Sequence, residues 1–334
     1  MHNKLRLIPL AMAAVAALAL SACGSDTGSG KSVDGAKLSF IQGVTGDEFY
    51  ITMQCGIEAE AKKQNVTVDT QGPAKFDPTL QKPIVDSVVA SKPAAMLVAP
   101  TDVSAMQAPL EAAAKAGIKV VLVDTTVKDP SFAVSAIASD NAGGGRQAFQ
   151  ALQQLNPKGG KVMVMSTDPG ISTLDDRIKG FEEAIGRDQL IRDGKLPDAK
   201  FTYLGVQYSH NDPAQAAKLM TAALAKDPDI VGVFATNLYS AAGTGTGVRQ
   251  ANKTSQVKVV GFDAGPDQVK QLKDGTVQAL IAQDPYQIGV DGVDQAVKSL
   301  KGEEVTKDIQ TGFHLLTKDN ISGDGAQYVY KSSC

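Results

Sequence analysis

The chain of 334 residues has no tryptophan, only three histidines and only three cysteines. Histidine is the side chain best suited to proton transfer near neutral pH and a frequent metal ligand. Here His2 stands in the first residues, His210 and His314 are far apart, and no Cys or His pair has ligand spacing, so a metal site is not expected. No G-x-S-x-G elbow occurs, and so few histidines leave a Ser-His-Asp site almost without candidates. An enzyme is disfavoured and no cofactor is expected. Basic residues number 33 against 36 acidic ones, for a net charge of -3, and the two signs are interspersed without a basic stripe. Nucleic acid is therefore not an expected partner. The one conspicuous apolar run, "LIPLAMAAVAALALSA" at 7–22, falls short of the ~20 residues that a membrane span needs. Two glycine clusters lack the spacing of phosphate-binding motifs: "GTGTGV" at 243–248 reads as helix-packing glycines, and "NAGGGR" at 141–146 as a turn where the chain crosses between lobes.

What is present begins with export. Lys4 and Arg6 precede the apolar run, which ends in small residues, the pattern of a secretory signal peptide over 1–22. The junction "LSAC" at 20–23 resembles a bacterial lipobox, which implies that Cys23 is lipidated and becomes the first mature residue, holding the protein to the membrane by acyl chains. Gly24 in the second mature position argues, by the same resemblance, for a one-membrane bacterium. Residues 23–35 are rich in glycine and serine and read as a flexible tether. Two thiols remain, Cys55 and Cys334, which an oxidising compartment would let pair; two free thiols are the alternative.

From residue 36 onward, short apolar runs alternate with helix-like segments. "AAMLVAPT", "KVVLVDTT", "KVMVMSTD", "IVGVFATN" and "KVVGFD" are unbroken and rich in valine, as strands buried on both faces are. This alternation predicts an α/β fold with parallel sheets, and its repetition in the second half predicts two similar Rossmann-like lobes. In such sheets ligands lie outside the carboxyl ends of the strands. The loops at those ends hold "TGDEFY", "DTT", "DPGISTLDDR", "NLYS", "DAGPD" and "QDPYQ", a collection of acids, amides, aromatic rings and one arginine. Carboxylates accept from hydroxyls, a guanidinium donates to two oxygens, and aromatic faces cover C-H patches, so the rim suits a polyhydroxylated ligand. Asp124 and Asp263 both end valine-rich runs; taken alone, each is equally an Asp that forms its own turn.

The stretch "VVGFDAGPDQVKQLKDGTVQALIAQDPYQIGVDGV" at 259–293, with "ASDN" at 138–141 and "DRIKGF" at 176–181, resembles ribose-type sugar-binding proteins of bacterial ABC importers, the type I periplasmic binding proteins. The resemblance spans nearly the whole mature chain. It implies two lobes joined by a three-stranded hinge, the first made of 36–139 and 284–311, the second of 140–283 and 312–334. It further implies that Asp47, Phe49 and Tyr50 touch the ligand, that Asp124 accepts from it in the first lobe, that Arg177, Asn237 and Asp263 face it from the second, and that Gln283 sits beside the hinge. Thr125 stands where ribose binders commonly carry an arginine, which points away from plain ribose. Tyr208, His210, Asn211, Tyr239 and Tyr286 stand equally as surface or core residues and as ligand contacts. The expectation is an exported, lipid-anchored monomer that delivers a neutral sugar or polyol to an ABC permease; the alternative is a sensing module of the same fold that presents a sugar-like signal to a membrane receptor.

Overall fold

The computed structural model describes residues 32–186 and 200–334; the expected signal segment, Cys23 and most of the tether lie outside them. Two six-stranded sheets form the frame. The first is built from β1 (Lys37–Ile41), β2 (Thr67–Gln71), β3 (Ala95–Val98), β4 (Lys119–Val123), β5 (Ser135–Ser139) and β11 (Asp308–Thr311), in the order β11-β5-β4-β3-β1-β2. Every neighbouring pair in it is parallel. The second uses β6 (Gly160–Ser166), β7 (Phe201–Tyr208), β8 (Ile230–Ala235), β9 (Lys258–Phe262), β10 (Ala279–Gln283) and β12 (Phe313–Thr317), in the equivalent order β12-β10-β9-β8-β6-β7, with β12 alone running antiparallel. The two-lobed α/β architecture expected from the alternating runs is the one observed.

Central strands are buried on both faces, which is why their sequences are continuous rather than alternating. Along β4, Val121 and Val123 pack toward α1 (Glu48–Lys63) and α9 (Pro285–Lys301), while Val120 and Leu122 face α2 (Pro78–Ser91) and α3 (Gln107–Lys115). Strand β2, "TVDTQ", is polar because it is the sheet edge and only partly covered, so apolar runs give no sign of it. In the second lobe, rings of Phe149, Phe181, Phe234 and Phe262 fill the space between the sheet, α4 (Asn141–Leu155) and α5 (Ser172–Ile185). The other face is covered by α6 (Pro213–Lys226) and α7 (Leu238–Gln250), with α8 (Pro266–Asp274) beside them.

The glycine clusters find their explanation in helix pairing. Gly243 and Gly247 of "GTGTGV" lie against the carbonyls of Pro213 and Ala217 in α6, where a β-carbon would collide with backbone. "NAGGGR" is not a turn: it forms the first turns of α4, capped by the Asp140 carboxylate, which accepts from the Gly143 amide at 2.8 Å. Its glycines are there for proximity. Gly144 leaves room for the Phe262 ring and Gly145 for the Arg177 carbonyl of α5.

The chain passes between the sheets after β5, after β10 and between β11 and β12. The first, second and third crossings are stitched side by side: the Ser139 hydroxyl donates to Gln283 Oε1 at 2.8 Å and lies 3.3 Å from the Thr311 hydroxyl. Cys55 in α1 and Cys334 form a disulfide. Residues 331–334, given to the second lobe on resemblance, thus end against the first, where the Lys331 amide also donates to Thr52 Oγ1 at 2.8 Å. Away from the hinge the lobes touch: the Val103 amide donates to the Gly170 carbonyl at 3.1 Å, and the Thr126 amide to Ser172 Oγ at 2.9 Å. No helix among the described residues is long and apolar enough to cross a membrane.

Candidate functional site

Asp124 and Asp263 occupy matching places at the carboxyl ends of β4 and β9. Both take positive φ, 64° and 77°, a region that Asp tolerates better than most side chains. Their amides donate to Ile137 and Ile281 on the next strand, each at 2.8 Å. A turn-forming Asp spends its carboxylate on its own backbone. These do not. Asp124 Oδ2 accepts from the Tyr50 hydroxyl at 2.7 Å; Asp263 Oδ1 accepts from Gln283 Nε2 at 2.7 Å and from the Tyr330 hydroxyl at 3.0 Å. One oxygen of each is fixed in place and the carboxylates face the space between the lobes.

The start of α1 supplies the first lobe's other groups. Asp47 caps the helix by accepting from the Phe49 amide at 2.8 Å, which turns Phe49 and Tyr50 inward, their rings edge to face with centroids 5.2 Å apart. Burial, with the nearby charge of Asp263 adding to it, pushes the Asp47 carboxyl up to about 8. Burial likewise raises Asp124 to about 6, against the pull of Arg177 and the Tyr50 hydroxyl. The Tyr50 phenol is held well above its ordinary value by burial and by the Asp124 carboxylate.

Arg177 comes from α5 in the second lobe. It is 2% exposed, its Nε donates to Asn141 Oδ1 at 2.9 Å, one Nη donates to the Thr236 carbonyl at 2.8 Å, and its guanidinium lies 3.7 Å from the centre of the Phe262 ring. The other Nη has no protein partner, and neither has the buried hydroxyl of Thr167. Buried donors are ordinarily paired, and these two, unlike the unpaired Thr244 hydroxyl in α7, face the cavity between the lobes. Asn237 caps α7 through Ser240 and donates to Asn211 at 2.8 Å.

These groups meet at one cavity between the strand ends, lined by Asp47, Phe49, Tyr50, Asp124, Arg177, Asn237, Asp263 and Gln283. Thr125 is not among its lining residues: its hydroxyl is turned away to the Pro100 carbonyl at 2.7 Å. Sequence reasoning missed Phe76, Thr167, Ile171, Thr173 and Leu174, which also line it. Ile171, Thr173 and Leu174 lie within the "DPGISTLDDR" loop and Thr167 directly before it, so they could have been found; Phe76 follows the polar edge strand and carried no signal. Of the five undecided residues, Asn211 lines the cavity, His210 pairs with Asp168 at the surface, and Tyr286 is exposed beneath Lys331. Tyr239 lines a separate hollow with Glu48, Leu238 and Pro266.

Two parallel-sheet lobes joined by three crossings, with a polar cavity buried between the strand ends of both, are the architecture of a solute-binding protein. The chain belongs to the periplasmic binding protein family, whose domain model matches residues 38–304. It is 31% identical to the ribose import binding protein of Escherichia coli K12 over 91% of this chain and 97% of that protein. Among solved structures it is similar to an ABC transporter solute-binding protein from Agrobacterium vitis bound with α-D-tagatopyranose, at 38% identity and a TM-score of 0.84, covering 89% of this chain and 99% of the other. Another from the same organism, with bound D-fucose, matches at 31% identity and a TM-score of 0.82, covering 88% and 100%. Its relatives are sugar-binding proteins of ABC importers, not enzymes.

Proposed function

We propose that the protein captures one neutral monosaccharide or polyol between its lobes and hands it to an ABC import permease. The observation that carries this is the pair of buried donors without protein partners, Arg177 Nη and Thr167 Oγ1, in a cavity that also presents the carboxylates of Asp124 and Asp263 from opposite lobes. An Asp47 carboxyl that keeps its proton to about pH 8 offers a donor and an acceptor without charge, as an amide would, which favours hydroxyls over a cation. Because Thr125 supplies no donor to the cavity, a sugar that needs a second arginine fork is disfavoured. Calorimetric titration with D-ribose, D-allose, D-tagatose, D-fucose and polyols tests the reading. Binding of a hexose or polyol more tightly than ribose is expected. Ribose as the tightest ligand would overturn the inference from Thr125, and binding of anions alone would overturn the sugar reading.

An acyl anchor would keep the exported protein beside such a permease. The "LSAC" junction supports an acyl anchor at Cys23 on the outer face of the cytoplasmic membrane, with the residues after it as the tether. Replacing Cys23 with Ala is expected to abolish incorporation of labelled fatty acid.

A further inference from the structure

We propose that the segment after β12 is a working part of the ligand cleft: Tyr330 positions Asp263 and Gln283, and the Cys55–Cys334 bond fastens that tyrosine to the opposite lobe. This rests on the cleft being the sugar site. The segment makes a fourth passage between the lobes, completed across two consecutive residues. The Tyr330 amide donates to the Ala264 carbonyl of the second lobe at 3.0 Å, and the Lys331 amide to Thr52 Oγ1 in α1 of the first at 2.8 Å.

Tyr330 is 4% exposed, and both hydrogen bonds of its hydroxyl go to groups that line the cavity. Its hydroxyl donates to Asp263 Oδ1 at 3.0 Å and accepts from the Gln283 backbone amide at 3.1 Å, so one oxygen ties the Asp263 carboxylate to the second hinge crossing. Its ring meets Phe49, a cleft residue of the first lobe, edge to face at 5.9 Å. A carboxylate held by two donors on one oxygen has its second oxygen aimed, because rotation would break both bonds. Gln283 Nε2 is one of those donors and the Tyr330 hydroxyl the other. Tyr330 is thus a positioning residue that acts through Asp263. The disulfide four residues further on keeps the segment from lifting off, since Cys334 is otherwise exposed at its end.

The test uses the full chain with D-tagatose as probe. Tyr330→Phe keeps the ring against Phe49 and removes the hydroxyl, so affinity is expected to fall about tenfold. In an Asp263→Asn background the same change is expected to cost nothing further, since the group it orients has already been altered. Cys55→Ser with Cys334→Ser is expected to weaken binding several-fold. Independently of any sugar, the Gln283 amide is expected to exchange its proton faster in both variants. Unchanged affinity and unchanged exchange in Tyr330→Phe, or an equal tenfold loss with and without Asp263→Asn, would overturn the proposal. If the wild-type protein ignores D-tagatose, the sugar reading fails for that compound, while amide exchange at Gln283 still decides the role of the segment.

Discussion

A carboxyl group pushed up by burial makes folding depend on pH in a definite direction. The folded Asp47 binds its proton up to about pH 8, whereas the unfolded side chain loses it near its ordinary 3.8. Between those values the folded state holds the extra proton, so stability is full below about pH 4 and declines as pH rises toward 8. Asp124, raised to about 6, adds a decline in the same direction over the lower part of that window. Melting the ligand-free protein across pH 4 to 9 is expected to show both; Asp47→Asn is expected to remove the decline between 6 and 8 and to lessen, without abolishing, the one below 6. At the two strand-end aspartates, alanine would combine a lost acceptor with a backbone at positive φ that it adopts poorly. Asp124→Asn and Asp263→Asn separate these effects: sugar affinity is expected to fall, with melting temperature changing less than in the alanine variants, whose binding loss is expected near a hundredfold, about 2 to 4 kcal/mol. These two residues were legible in the sequence because each ends an apolar run. Tyr330 was not, because its segment has no periodicity and reaches the cleft only through the folded path of the chain.

Helices in this fold are paired by contact of backbone on backbone. Gly56 in α1 lies against the Tyr286 carbonyl of α9, and Gly289 in α9 against the Met53 carbonyl of α1, so each helix seats a glycine on the other. That pair carries Asp47, Phe49 and Tyr50 at one end and follows directly from Gln283 at the other. Gly289→Ala is expected to force the helices apart and lower stability by about 1 to 3 kcal/mol, read as an earlier urea midpoint. The caps that start the helices, such as Asp47 and Asp212, emerge only in the structure, whereas strands with continuous apolar runs could be read from the sequence. The edge strand β2 could not, since half-exposed positions impose no hydrophobic pattern, and the glycines of α4 resembled a turn because glycine chosen for close packing looks the same in sequence as glycine chosen for conformation.

At the scale of the molecule, the Cys55–Cys334 bond joins residues separated by 279 positions and so closes a loop around most of both lobes. Chain-entropy reasoning gives such a loop about 5 kcal/mol of stabilisation, and reduction is expected to lower the melting temperature by about 10 °C in a thermal scan run with and without dithiothreitol. The two-lobed arrangement was readable from the repeated alternation, but where the last residues lie was not, because no periodic pattern follows β12. The hinge itself can be thought of as the spine of a book. Three thin threads let the covers swing apart, but they also let them slide past each other and skew. A strap fixed covalently to one cover and sewn to the other beside the same spine leaves the swing and resists the slide. The expected result is a receptor with one direction in which to open, whose pages meet in register each time it shuts.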